Sequence, residues 1–256
     1  MPQESYLWAG DGQPMLFVNG KQIEGAIFDI DGTLVDSFSA FTSAFNNGTS
    51  RFHLEPVSNQ FLTHFLRKGL NLPEILREVF PLHTTGPLIE RCQRNILEHF
   101  LRIEAVEVKP FRGIDRLFGV LHERGIRIGI ATGRGSTAEN EWMRFKRFGL
   151  ERFIDSIVTS KEVPKRKPAP DVIIECAKRL GIPVENCLTV GDTEADIIAG
   201  KRAGGIPVAI LTAEDRLDPL ESEKPEFIFE SLNEFASFLE EQGKGGKESV
   251  RESGKH

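Results

Sequence analysis

Ile27-Phe28-Asp29-Ile30-Asp31-Gly32-Thr33-Leu34 decides how the rest of the chain is read. An apolar strand runs into a Gly-Thr turn and carries two carboxylates two residues apart. Residues i and i+2 of a strand face the same side, so both acids can address one site. Crowded carboxylates repel unless a cation or a shared proton offsets their charge. The pattern suits metal-assisted chemistry in which one acid is the nucleophile and the other moves protons. The competing structural reading is a polar strand end entering a turn, for which Asp-Gly is common.

Working outward, Leu16 to Ile23 reads as a short hairpin about Asn19-Gly20. Strands are expected over residues 26–30, 126–131, 156–159, 187–190 and 207–211, with an edge strand over 227–229. Helices are expected over 114–123, 137–148, 170–180, 194–203 and 232–241. Ser136 with Glu139 suggests a capping box for the second, and Pro170 suits the first turn of the third. Apolar runs alternating with helices indicate an α/β fold, a Rossmann-like doubly wound parallel sheet with helices on both faces.

One connection is too long. Asp31 and Thr132 are 101 positions apart (132 − 31), where a βα crossover needs roughly 30 residues. The excess is helical in pattern, with Phe38, Phe41 and Phe45 at i, i+3, i+7 and Phe61, Leu62 and Phe65 at i, i+1, i+4. It reads as an inserted α-helical cap domain whose Phe residues form its own core. Its hinges would be Asp36-Ser37 and Pro110 to Gly113. The expected organisation is an N-terminal extension with the hairpin (1–23), a core (24–36 and 110–241), a cap (37–109) and a disordered tail (242–256).

A formal net charge of −6 argues against a nucleic-acid partner. Three scattered cysteines fit neither a disulfide framework nor a zinc site. Met1 to Pro14 lacks the apolar core of a signal peptide, and no run is long enough to span a membrane. These features point to a soluble cytoplasmic protein with no membrane partner, whether monomer or homodimer.

Three further segments sit where strands end. Thr132-Gly133-Arg134 offers a hydroxyl and outward N–H groups suited to a phosphoryl oxygen, although such turns often hold Thr and Gly for structural reasons. Lys165-Arg166-Lys167-Pro168-Ala169-Pro170-Asp171 concentrates positive charge, which could also be a solvated loop. Gly191-Asp192-Thr193-Glu194-Ala195-Asp196 places two acids near one face of a helix start, where acids are also structurally tolerated. In an open parallel sheet these ends converge on the ligand-binding crevice, and four coincidences there make a purely structural explanation improbable.

The ordered set DxDGT, TGR, KPxPD and GDxxxD resembles the haloacid dehalogenase superfamily, and within it the capped phosphatases of the phosphoglycolate phosphatase and β-phosphoglucomutase group. The resemblance covers roughly residues 24–238. It implies that Asp29 is the nucleophile forming an aspartyl-phosphate and Asp31 the general acid and base. It implies that Thr132, with Gly133, holds the phosphoryl group and that Lys167 neutralises it. Mg²⁺ would be bound by Asp29, the backbone carbonyl of Asp31 and Asp192, with Asp196 acting from behind. Arg67 and Lys68, in the stretch matching the family's substrate loop, would reach the leaving group of a small phosphorylated metabolite. Arg166 departs from the usual Gly and would add charge beside the phosphate, Arg112 departs from the usual Pro at the second hinge, and Lys165 is a lesser rival to Lys167. The implied activity is that of a Mg²⁺-dependent phosphatase. A sugar phosphomutase is the nearest alternative, which Thr33 disfavours because related mutases often have Val there. A non-enzymatic phospholigand-binding protein is the alternative of another class.

Overall fold

The structure is a computed structural model that describes residues 16–18, 20–68, 70–211 and 217–242, apart from the side chains of Arg67 and of residues 217–219. The expected N-terminal extension before Leu16, the turn residue Asn19 and the expected tail beyond Gln242 lie outside the described residues. Strands β1 (Leu16–Val18) and β2 (Lys21–Ile23) pair antiparallel, Leu16 opposite Ile23 and Val18 opposite Lys21. That register leaves two residues for the turn, and Gly20 supplies a positive φ of 74°.

Strand β3 (Gly25–Phe28) enters the main sheet and stops two residues short of the expected end. There the backbone turns, with the N–H groups of Leu34 and Val35 both donating to the Ile30 carbonyl. After β4 (Val35–Asp36) come four helices, α1 (Phe38–Ser50), α2 (Asn59–Arg67), α3 (Leu72–Val79) and α4 (Gly86–Glu107). The chain returns through β5 (Lys109–Pro110), which pairs antiparallel with β4, so the outgoing and returning hinges are zipped together. The helical insertion has its own core, in which Phe45, Leu62, Ile75, Leu76 and Ile96 are fully buried. Phe41, Phe61 and Phe65 pack on that core, as their spacing predicts. Phe100 and Ile103 of α4 touch both this core and the core beneath the sheet, which seats the insertion.

The rest alternates: α5 (Ile114–Glu123), β6 (Arg127–Thr132), α6 (Ala138–Arg147), β7 (Ser156–Thr159), α7 (Asp171–Leu180), β8 (Cys187–Gly191), α8 (Glu194–Ala203), β9 (Ile206–Ile210), α9 (Leu217–Ser222), β10 (Phe227–Phe229) and α10 (Leu232–Gln242). The sheet runs β10-β9-β8-β3-β6-β7 with every neighbouring pair parallel. Alternate strand residues divide between its faces. Phe28, Ile130 and Val190 pack with α5, α6 and α10, whereas Ile27, Ala131 and Val158 pack with α7 and α8. This is the doubly wound α/β fold expected from the sequence, with β3 in the middle.

Local chemistry departs from expectation at α6. Its N-cap is Thr137, whose hydroxyl accepts from the Asn140 N–H at 3.4 Å, and the Ser136/Glu139 capping box does not form. The Ser136 hydroxyl donates instead to the buried Glu141 carboxylate, a stronger acceptor than a neutral group. Among the described residues no helix is long and apolar enough to cross a membrane.

Gly48 permits the close approach of α1 to α4, since a Cβ there would lie 3.0 Å from the Ile96 nitrogen and 3.1 Å from its Cα. Gly48→Val should therefore force these helices apart and lower stability by about 1–3 kcal/mol, read as a reduced urea midpoint.

Candidate active site

The carboxyl edge of the parallel sheet gathers one group from each turn. Asp29 directly follows β3, its N–H held by the Val190 carbonyl at 2.9 Å. Asp192 follows β8, and its Oδ1 accepts from the Thr33 hydroxyl at 2.8 Å. Gly32 turns the chain past Asp192 with φ of 80°. Asp196 lies in the first turn of α8, where its Oδ2 accepts from the N–H and hydroxyl of Thr193 in a reciprocal capping box. Lys167, from the loop before α7, extends Nζ to Asp29 Oδ1 (2.8 Å), Asp196 Oδ1 (2.7 Å) and the Ala131 carbonyl (2.7 Å). Lys165 is exposed and does not take this place.

Asp29, Asp192 and Asp196 are all buried and offer carboxylate oxygens within 4.8 Å of one another. Burial pushes the Asp29 carboxyl up to about 8, with Asp196 and Asp31 adding to the rise while Lys167 opposes it. Burial also works against the Lys167 ammonium, but the Asp196 and Asp29 carboxylates outweigh it and hold the amine firmly protonated. Such a set lacks positive charge. A divalent cation is the fitting remedy, and three carboxylates with no nitrogen or sulfur ligand suit a hard, oxygen-seeking ion.

Asp31 has separate partners. Because β3 ends at Phe28, the same-face argument for i and i+2 stops applying, and the two acids are held by different groups. Arg134 grips Asp31 with a planar fork, Nε to Oδ2 at 2.6 Å and Nη2 to Oδ1 at 2.5 Å, and the Ser37 hydroxyl donates to Oδ1 at 2.5 Å. Burial would raise the Asp31 carboxyl, but Arg134 outweighs it and holds it below the ordinary range.

Thr132 ends β6 fully buried, its hydroxyl accepting from the Arg134 N–H at 3.2 Å. Arg166, expected beside a phosphate, spends its Nη2 on the Gly133 carbonyl at 2.7 Å. Arg67 is the last residue of α2, with its side chain outside the described residues, and Lys68 caps that helix as an exposed residue. Neither is brought to the carboxylate cluster by any described contact. Sequence reading passed over Glu104, Glu141 and Arg144, and gave Arg134 no role. Glu104 of α4 pairs with Arg134 (2.7 Å) and Arg144 (2.5 Å), and Arg144 pairs in turn with Glu141. The available signal was an acid at the end of the apolar Phe100-Ile103 face of α4.

A parallel α/β core with acids and a lysine at its carboxyl edge, and helices inserted after the first core strand, defines a class of hydrolase. Residues 26–210 match the haloacid dehalogenase-like hydrolase family, and the chain belongs to it. The chain is similar to pyrophosphatase PpaX of Bacillus pumilus, 25% identical over 223 residues that cover 87% of this chain and 99% of the relative. It is also similar to phosphoglycolate phosphatase of Neisseria meningitidis, 24% identical over 227 residues, covering 87% and 96%. In fold it resembles a haloacid dehalogenase-like hydrolase from Streptococcus pneumoniae, with a TM-score of 0.73, 21% identity and coverage of 85% and 98%.

A Cβ on Gly32 would meet Asp192 Oδ2 at 2.5 Å and Phe38 at 2.6 Å, in a backbone conformation that L-residues disfavour. Gly32→Ala should cost roughly 2 kcal/mol or more in urea denaturation and weaken divalent-cation binding by displacing Asp192.

Proposed function

We propose that this chain is a Mg²⁺-dependent phosphatase that hydrolyses a small phosphate monoester through an aspartyl-phosphate on Asp29. The observation that carries this reading is the buried Asp29 carboxylate, bonded to Lys167 and grouped with the Asp192 and Asp196 carboxylates at the sheet edge. A carboxylate attacks a phosphate dianion only where their repulsion is cancelled. Asp29, the Asp31 carbonyl and Asp192 would hold Mg²⁺, which would supply that cancellation when bound, together with Lys167. Asp196 is the outer acid, since its oxygens already serve Lys167 and the cap of α8.

In the first step an Asp29 oxygen bonds to phosphorus and the ester P–O bond breaks, with Asp31 passing to the departing alkoxide a proton that it takes up from solvent when the phosphate dianion binds, against the pull of Arg134. In the second, Asp31 takes a proton from water, the water oxygen bonds to phosphorus, and the Asp29–phosphorus bond breaks to release orthophosphate. The Thr132 hydroxyl and the Gly133 N–H hold phosphoryl oxygens. Arg67 and Lys68, on the insertion, are the candidates for contact with the leaving group and for substrate choice, since the core groups meet only the phosphoryl group that all substrates share. The names of the relatives point to phosphoglycolate and pyrophosphate as the first compounds for a screen.

Orthophosphate release across a phosphometabolite panel tests the reading. Release to water supports it, and transfer to a second sugar hydroxyl would replace it with the mutase alternative. Asp29→Asn should fold normally yet lose turnover by on the order of 10⁴ or more, since an amide forms no acyl-phosphate.

The pH dependence has a definite sign. Asp29 stands above its ordinary value of 3.8, so its contribution to stability is full below that value and is lost as pH rises toward about 8. A cation binds the ionised form and expels the proton. Mg²⁺ affinity should tighten by about tenfold per pH unit below pH 8, and calorimetry should detect the released proton. The Mg²⁺-induced rise in Tm should grow over the same interval, and Asp29→Asn should flatten both.

A further inference from the structure

Most of the buried charge near Asp31 has no task in the reaction just described. Arg134 and Arg144 lie among Asp31, Glu104 and Glu141, and the Glu104 carboxylate bridges the two guanidiniums. Glu104 and Glu141 are buried and the Arg134 side chain is only 11% exposed. Glu104 belongs to the inserted helix α4 and Arg134 to the turn after β6, so the pair joins insertion to core. The Arg134 guanidinium also lies over the Phe100 ring of α4, 5.9 Å from its centroid.

Arg134 could instead be a receptor for an anionic substrate group. Its hydrogen bonds argue otherwise, because Nε and Nη2 hold Asp31 and Nη1 holds Glu104, so each nitrogen is already engaged by a protein carboxylate. The other end of the fork is more telling. A carboxylate has about four acceptor positions. Asp31 uses two on Oδ1, for Arg134 and Ser37, and one on Oδ2, for Arg134. Among the described residues one Oδ2 position is left, on a side chain that is one-third exposed. Asp31 stands just before the Gly32 turn, and the hydrogen bonds given for its side chain come from Arg134 and Ser37. The fork fixes its plane, and so fixes where that last position points.

We propose that Arg134 is a positioning residue for Asp31, and that Glu104 makes this positioning depend on how the helical insertion is seated. The proposal rests on Asp31 acting as the acid and base of a phosphatase. Only the step in which the alkoxide takes the proton from Asp31 needs that orientation before the ester bond is broken. Loss of the fork should therefore depend on the leaving group, a dependence that damage to the fold in general does not produce.

The experiment compares kcat/KM for ethyl phosphate and for p-nitrophenyl phosphate, measured by single turnover with Mg²⁺ on the full chain. The ethoxide needs a proton and carries no charged group for Arg134 to touch, whereas p-nitrophenolate leaves as an anion. Arg134→Lys keeps the charge but loses the fork. It should lower the ethyl phosphate value by roughly ten- to hundredfold, and the p-nitrophenyl phosphate value much less, with the loss in kcat rather than KM. Glu104→Gln should show the same skew more weakly, and it decides the matter if Arg134→Lys does not fold. Asp31→Asn is the reference and should show the largest skew. An unchanged substrate ratio in both Arg134→Lys and Glu104→Gln, with skew in Asp31→Asn, overturns the positioning role. No skew in Asp31→Asn overturns the acid–base reading itself.

Discussion

Three buried carboxylates face one lysine at the sheet edge, and each is prevented by a separate device from moving away. Asp29 is held through its backbone by β8, Asp192 by the Thr33 hydroxyl, and Asp196 by the capping box that starts α8. Lys167 is tied to the Ala131 carbonyl as well as to two of the acids. A surface cluster would relieve such crowding by rotating side chains into water. Here the side chains stay in place, and the crowding is relieved by a proton on Asp29 or by a cation that displaces it. The three carboxylates could hold a hard divalent cation there.

The architecture was legible because it is written in short-range patterns. Alternate faces of β3, β6 and β8 carry apolar residues on both sides, and α5 and α8 run over the expected residues, 114–123 and 194–203. The length of the connection from Asp31 to Thr132 sufficed to reveal the insertion. The carboxylate cluster was legible because a parallel sheet brings its strand ends together whatever their distance in sequence. Two things escaped. Strand periodicity carries no information past the last strand residue, so it could not show that Asp29 and Asp31 take different partners. The ionic network also has no local signature. Arg134 lies 103 positions from Asp31 and 30 from Glu104, and a buried acid on α4 reads like any surface glutamate until the partner helix is in place.

The hinge gives the insertion a particular mechanical relation to the site. Since β4 and β5 are paired, the helices cannot swing on two independent strands, and they must move as a body about one short ribbon. One end of that body touches Asp31, and the other touches the arginine that grips it. Ser37, between β4 and α1, donates to its Oδ1, while Glu104, near the end of α4, holds the arginine that grips both its oxygens. A rotation that shifts the helices relative to the sheet must change at least one of these bonds. Asp29, Lys167, Asp192 and Asp196 each have a hydrogen bond to a core element. The structure thus sets four groups bonded to core elements beside one carboxylate, Asp31, whose hydrogen bonds depend in part on the helices.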